Sequence, residues 1–116
     1  MTGRPVVLVI DDSAEVRSVI GAVLQRKGFD IVEAHDPPSA IEALKSGTFA
    51  TIFLDLKMPH DGVAMLDYIG ESLPELLPKV IVLLPPVGHD VRAVLSKPLD
   101  LAELARVVTS REKSYV

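Results

Sequence analysis

The chain has no cysteine, little aromatic character and no excess of basic charge. Without cysteine it has no disulfide framework, zinc–thiolate site or thiol nucleophile. A formal net charge of -4 with scattered Lys and Arg leaves no basic footprint for nucleic acid. Apolar runs such as Val80–Leu84 fall far short of the roughly 20 residues that cross a bilayer, and Val6–Ile10 is too short for a signal peptide. We therefore expect one cytoplasmic domain that binds neither nucleic acid nor membrane.

What the chain does contain is an alternation of strand-like and helix-like segments. Val6–Ile10 is a continuous, mostly β-branched run, which is typical of a strand buried on both faces. The other predicted strands are Ile31–Ala34, Thr51–Leu54, Val80–Leu84 and Ala93–Leu95. Apolar residues at helical spacing predict helices between them, with Gly28 ending the first and Pro38 opening the second. Strands alternating with helices indicate an α/β fold with a parallel sheet covered on both faces.

Acidic residues and one lysine stand where several of these strands end. Asp11 and Asp12 follow the first strand, Asp55 follows the third, and Lys97 follows the fifth. Because the carboxyl ends of parallel strands share one edge of a sheet, these side chains are expected to converge. The grouping suits Mg²⁺, which prefers oxygen ligands, and an aspartate that accepts a phosphoryl group.

The Asp11-Asp12-Ser13 segment has a second interpretation as a helix cap. Asp and Ser are both preferred at the residue that precedes a helix, so the three residues could serve only to start the helix that follows. Neighbouring residues of a regular strand also point to opposite faces, so Asp11 and Asp12 converge only if the chain leaves the sheet there. Ser13 favours such a turn, and the capping and site roles are compatible.

These motifs resemble the receiver domain of two-component response regulators. The resemblance rests on Val-Leu-Val-Ile-Asp-Asp-Ser with Arg17, on Phe-Leu-Asp-Leu-Lys-Met-Pro with Asp61-Gly62, and on Ser-Lys-Pro-Leu-Asp before the last helix. It covers nearly the whole chain and implies a single receiver domain over residues 1–116. The implied fold is flavodoxin-like, a doubly wound five-stranded parallel sheet in the order 2-1-3-4-5.

The resemblance also implies a role for each residue of the site. Asp55 is the implied phosphoacceptor. Asp12 and Asp55 bind Mg²⁺ directly, Asp11 contributes through water, and the backbone carbonyl of Lys57 completes the protein ligands. Lys97 pairs with the phosphoryl oxygens. A divalent ion and an ammonium group are needed because a carboxylate and a phosphoryl group are both anionic.

The chain departs from the family pattern around its fourth and fifth strands. Leu84 stands where receivers carry the Ser or Thr that contacts the phosphoryl group, and Val94 replaces the usual aromatic partner. Only Pro85–Arg92 separates Leu84 from Ala93, whereas a parallel crossover with its helix needs at least about 10–12 residues. We expect the helix between these strands to be missing or vestigial. The uncovered surface would then contact a partner or a second copy of the chain.

Two functions remain open from the sequence. The first is a phosphoryl-accepting signalling module that receives its phosphoryl group from a histidine kinase or a histidine phosphotransfer protein. The second is a pseudo-receiver that binds partners independently of phosphorylation. A stand-alone phosphohydrolase is the weakest hypothesis, because no general acid stands two residues after Asp55. In either of the first two cases the chain is a signalling domain rather than an enzyme.

Overall fold

The computed structural model of the protein describes residues 4–55, 62–83, 93–95, 101–109 and 114–115. Over residues 6–72 its strands and helices alternate along the chain, as the sequence predicts. In order they are β1 Val6–Ile10, α1 Ala14–Arg26, β2 Asp30–Ala34, α2 Pro37–Ser46, β3 Thr51–Asp55, α3 Gly62–Ser72, a 3-10 helix Pro74–Lys79, β4 Val80–Leu83, β5 Ala93–Leu95, α4 Leu101–Thr109 and β6 Ser114–Tyr115.

The strands form one sheet in the order β2-β1-β3-β4-β5-β6, and every neighbouring pair is parallel. The predicted α/β class, the parallel sheet and the order of the first four strands are confirmed. The predicted count of five strands is not confirmed, since Ser114–Tyr115 pairs beside β5. A two-residue strand is too short to leave a periodic pattern in a sequence. The predicted loss of a helix between the fourth and fifth strands concerns residues 85–92, which lie outside the described residues.

Apolar layers cover both faces of the sheet. Leu8 and Ile10 of β1 belong to the cluster that packs under α2, α3 and the 3-10 helix. Val7 and Val9, the alternate residues, belong to the cluster under α1 and α4. All four are fully buried, which is why β1 reads as a continuous apolar run rather than an alternating one. Helices thus pack on both faces of the sheet and restrict the movement of the strands, including their carboxyl ends.

Local signals in the sequence set the helix ends. Ser13 caps α1, where its hydroxyl accepts a hydrogen bond from the Val16 N–H at 3.2 Å. Asp36 caps α2 and forms a reciprocal pair with Ser39. Gly28 follows α1 with φ of 94°, a left-handed conformation that glycine adopts without steric cost. The capping prediction for Ser13 and the stop predicted at Gly28 are both confirmed.

The segment after α3 differs from the expectation drawn from the sequence. α3 ends at Ser72, two residues before Pro74, and the chain then forms a 3-10 helix over Pro74–Lys79 that the sequence pattern did not indicate. Short 3-10 helices often serve as connectors, and this one leads directly into β4. Among the described residues, no helix has both the length and the apolar character needed to cross a membrane.

Candidate functional site

Three carboxylates meet at the carboxyl edge of the sheet. Asp11, Asp12 and Asp55 each offer one oxygen, and these oxygens all lie within 4.8 Å of one another. Asp11 is fully buried and Asp55 is only 2% exposed, whereas Asp12 is exposed. The convergence predicted from the strand ends is therefore present for all three acids.

Strand register explains why Asp55 lies beside Asp11. The pairing of β1 with β3 aligns Ile10 with Leu54, so the next residue on each strand is an aspartate. All five residues of β3 are buried, so this strand runs through the centre of the sheet between β1 and β4. A buried central strand places the Asp55 carboxylate with little freedom to move away from its neighbours.

A turn after β1 brings Asp12 to the same place as Asp11. The Asp11 N–H still donates to the Ala34 carbonyl of β2 at 3.1 Å, so the chain keeps its sheet pairing up to this residue. The Ser13 N–H then donates to Oδ1 of Asp11 at 2.9 Å. This hydrogen bond between a side chain and the backbone two residues later turns the chain out of the sheet. The two adjacent aspartates therefore share one site, which a continuing strand would prevent.

Arg17 holds the same turn from the first part of α1. Its Nη1 donates to the backbone carbonyl of Asp11 at 2.6 Å, and its Nε pairs with Oε1 of Glu33 on β2 at 2.8 Å. From the sequence, Arg17 was identified only as part of a motif, and Glu33 was not identified at all. The available signal was an arginine six residues after a strand-end aspartate, in the first part of the helix that follows, from which its side chain reaches back to the end of the strand.

The donor set fits a divalent cation with a preference for oxygen. Ligand distances of about 2.0–2.1 Å in an octahedral shell put neighbouring and opposite oxygens roughly 3 to 4 Å apart. The oxygens of the three aspartates lie within 4.8 Å of one another, so they can surround one such ion after small side-chain movements. Three carboxylates gathered in so small a volume also repel one another, and a bound cation relieves the repulsion. Asp11, Asp12 and Asp55 are thus suited to hold Mg²⁺.

Several predicted site residues fall outside the described part of the chain. These are Lys57, Leu84 and Lys97. Val94 lies on β5, where the register aligns it with Val82 of β4. Asp55 aligns with Leu83, the last residue of β4, so Leu84 directly follows the residue beside Asp55.

A comparison against known protein families agrees with this fold. Residues 7–84 match the family described as the response regulator receiver domain. The chain belongs to this family. Receiver domains are signalling modules of two-component systems, and the motif resemblance noted in the sequence is confirmed.

Individual relatives of this receiver domain are found among curated proteins and solved structures. It is 38% identical over 66 residues to a protein-glutamate methylesterase/protein-glutamine glutaminase of Anaeromyxobacter dehalogenans, a match that covers 56% of this chain and 19% of that protein. It is 32% identical over 66 residues to the transcriptional regulatory protein SrrA of Staphylococcus aureus, covering 56% of this chain and 27% of that one. The receiver domain thus spans about a quarter or less of these relatives.

The structural neighbours are closer to it in length. A response regulator receiver protein from Pseudomonas putida is 29% identical with a TM-score of 0.79, covering 93% of this chain and 98% of that one. A CheY-like receiver domain protein from Methanospirillum hungatei is 27% identical with a TM-score of 0.76, covering 90% of each chain. The flavodoxin-like receiver fold is therefore shared over most of the chain.

Proposed function

We propose that this receiver domain accepts a phosphoryl group on Asp55 in a Mg²⁺-dependent reaction, as a module of a two-component or phosphorelay pathway. The observation that carries the proposal is the convergence of Asp11, Asp12 and Asp55 within 4.8 Å. The donor is a phosphohistidine on a histidine kinase or a histidine phosphotransfer protein. The proposal treats residues 1–116 as one receiver domain that works in the cytoplasm, where such donors are formed.

The reaction is the transfer of a phosphoryl group from nitrogen to oxygen. An Asp55 carboxylate oxygen forms the new O–P bond while the P–N bond of the phosphohistidine breaks, and the released imidazole nitrogen takes up a proton. The difficulty is electrostatic, since an anionic carboxylate approaches an anionic phosphoryl group. Mg²⁺, when bound, supplies positive charge to the phosphoryl oxygens during the transfer.

Each residue of the site has a distinct role in this proposal. Asp12 and Asp55 would hold the cation directly, and Asp11 would act through water. The buried position of Asp11 and its hydrogen bond from the Ser13 N–H keep its carboxylate fixed at the edge of the site. By analogy with the family, the Lys57 carbonyl would be the remaining protein ligand and Lys97 would be the counter-ion of the phosphoryl group.

The output of this receiver domain is proposed to be atypical. Leu84 has no hydroxyl to contact the phosphoryl group, and Val94 cannot act as the usual aromatic partner. The connection between β4 and β5 spans only residues 84–92, which is short for a crossover helix. We propose that a partner or a second copy of the chain binds near these two strands.

Leu84 also favours the second candidate function, a pseudo-receiver that binds partners without phosphorylation. The two candidates are separated by incubating the protein with a small-molecule phosphodonor, with Mg²⁺ or with a chelator in its place. Phosphoryl acceptance predicts a mass increase of one phosphoryl group only when Mg²⁺ is present. The Asp12→Ala variant should stay unmodified while keeping its fold by circular dichroism. A parent protein that remains unmodified under all conditions would leave the pseudo-receiver as the function.

A further inference from the structure

Arg17 makes contacts beyond those needed for packing α1 against the sheet. Its guanidinium donates from two different nitrogens, to the Asp11 carbonyl at 2.6 Å and to Glu33 at 2.8 Å. The backbone N–H of Arg17 donates to the Ser13 carbonyl at 3.0 Å. The side chain is 15% exposed, so it is largely enclosed between α1 and β2. One residue thus joins the end of β1, the start of α1 and the edge strand β2.

Arg17 contacts Asp11 at the point where the chain leaves the sheet. The Asp11 N–H pairs with the Ala34 carbonyl, and the Asp11 carboxylate accepts the Ser13 N–H, so the residue is held at both of these groups. Arg17 holds its remaining polar group, the backbone carbonyl. That carbonyl is part of the Asp11–Asp12 peptide unit, so fixing its direction also fixes the plane from which Asp12 departs.

A guanidinium is well suited to this task. Its donors lie in one rigid plane, whereas a lysine ammonium is a point charge on a flexible stem. With Nε fixed by Glu33, the direction in which Nη1 of Arg17 points toward the Asp11 carbonyl is determined. The ion pair between Arg17 and the half-exposed Glu33 adds little stability as a surface salt bridge, but it orients the donor.

We propose that Arg17 is a positioning residue for the cation site, acting through the Asp11 carbonyl to keep the Asp11 and Asp12 carboxylates convergent with Asp55. This inference rests on the proposed Mg²⁺-dependent function. Groups that orient metal ligands without touching the metal typically change metal affinity by 10- to 100-fold when they are altered. Asp12 is exposed and lies beyond the end of β1, so no strand holds it in place. We therefore expect an Arg17 variant to lose Mg²⁺ affinity mainly because Asp12 binds the ion less well.

The sign of the effect separates positioning from simple charge. Arg17 is a cation near an anionic site, so an electrostatic role alone would repel Mg²⁺, and removing the charge would tighten binding. Positioning predicts the opposite. For Arg17→Gln we expect Mg²⁺ affinity to fall about 10-fold, and for Arg17→Lys, which keeps the charge but loses the planar fork, about 3-fold.

The experiment is a Mg²⁺ titration followed by calorimetry and by amide NMR shifts. Arg26→Gln is the matched control, since Arg26 is exposed in the last turn of the same helix and should bind Mg²⁺ as the parent does. In the absence of Mg²⁺, the amide signals of Asp12 and Ser13 should shift or broaden in Arg17→Gln. Those signals should stay in place in the control.

The outcomes distinguish this inference from the proposed function. A parent protein that does not bind Mg²⁺ contradicts both. A parent that binds Mg²⁺, with Arg17→Gln and Arg17→Lys binding equally or more tightly, contradicts only the positioning role. If Arg17→Gln fails to fold, Arg17→Lys decides the question by the same titration, because weaker binding in a folded protein that keeps the charge supports positioning and unchanged binding refutes it.

Discussion

The Asp55→Asn substitution should make the cation-free protein more stable. Asp11 and Asp55 are almost completely buried, and their oxygens lie within 4.8 Å of each other. Two unit charges at that distance repel by about 3.5 kcal/mol at an effective dielectric constant of about 20. Hydrogen bonds such as that from the Ser13 N–H to Asp11 offset part of this repulsion. We therefore expect a net gain of about 1–3 kcal/mol in the free energy of unfolding.

The assay is urea unfolding at neutral pH and low salt, with a chelator present, followed by circular dichroism. Glu42→Gln serves as a control, because it removes an exposed charge from α2 and should change stability by less than about 0.5 kcal/mol. Adding Mg²⁺ should stabilise the parent more than the Asp55→Asn variant, since a ligand stabilises the state that binds it. Two results would refute this reasoning. In one, Asp55→Asn is less stable than the parent without Mg²⁺, so the aspartates do not repel one another. In the other, Mg²⁺ stabilises both proteins equally, so the cation does not relieve the repulsion.

Two further predictions concern the helix starts. Ser13→Ala removes the hydroxyl that caps α1, so urea unfolding should show a free energy of unfolding lower by about 1 kcal/mol. The Mg²⁺ affinity should persist, because the hydrogen bond from the backbone N–H of residue 13 to the Asp11 carboxylate is kept. Hydrogen bonds from Ser39 lower the pKa of the Asp36 carboxyl below its ordinary value of 3.8. The side chain of Ser39 has the larger effect and its backbone N–H the smaller one. The ionised form of Asp36 therefore stabilises the fold above about pH 4, and that contribution is lost as the pH falls through the lowered pKa. The parent should melt above Asp36→Asn at neutral pH, and the two midpoints should converge in acid; a constant difference at all pH values would contradict this.

The sequence was sufficient for the parts of the fold that repeat a strong local pattern. Val6–Ile10 was predicted with the bounds that the structure has, because a strand buried on both faces leaves an uninterrupted apolar run. The convergence of Asp11, Asp12 and Asp55 followed from the topology, since strand ends of a parallel sheet share an edge. The site was therefore predictable as a group of acids.

The parts that sequence missed depend on tertiary contacts. The 3-10 helix Pro74–Lys79 has no hydrophobic period of its own, and Ser114–Tyr115 becomes a strand only by pairing with β5. The link from Arg17 to Glu33 joins residues that are 16 positions apart and pairs an α1 side chain with an edge strand. No local pattern carries such a contact, because it exists only once β2 has paired with β1.

Identifying the residue that takes up the phosphoryl group tests whether Asp55 is the phosphoacceptor. The protein is incubated with Mg²⁺ and a small-molecule phosphodonor, the acyl phosphate is reduced with borohydride to convert the modified aspartate to homoserine, and the site is read by peptide mass mapping. We expect homoserine at position 55 in the parent, none in the presence of a chelator, and none in Asp55→Asn. Modification at another aspartate, or at Asp55 to the same extent without Mg²⁺, would contradict it.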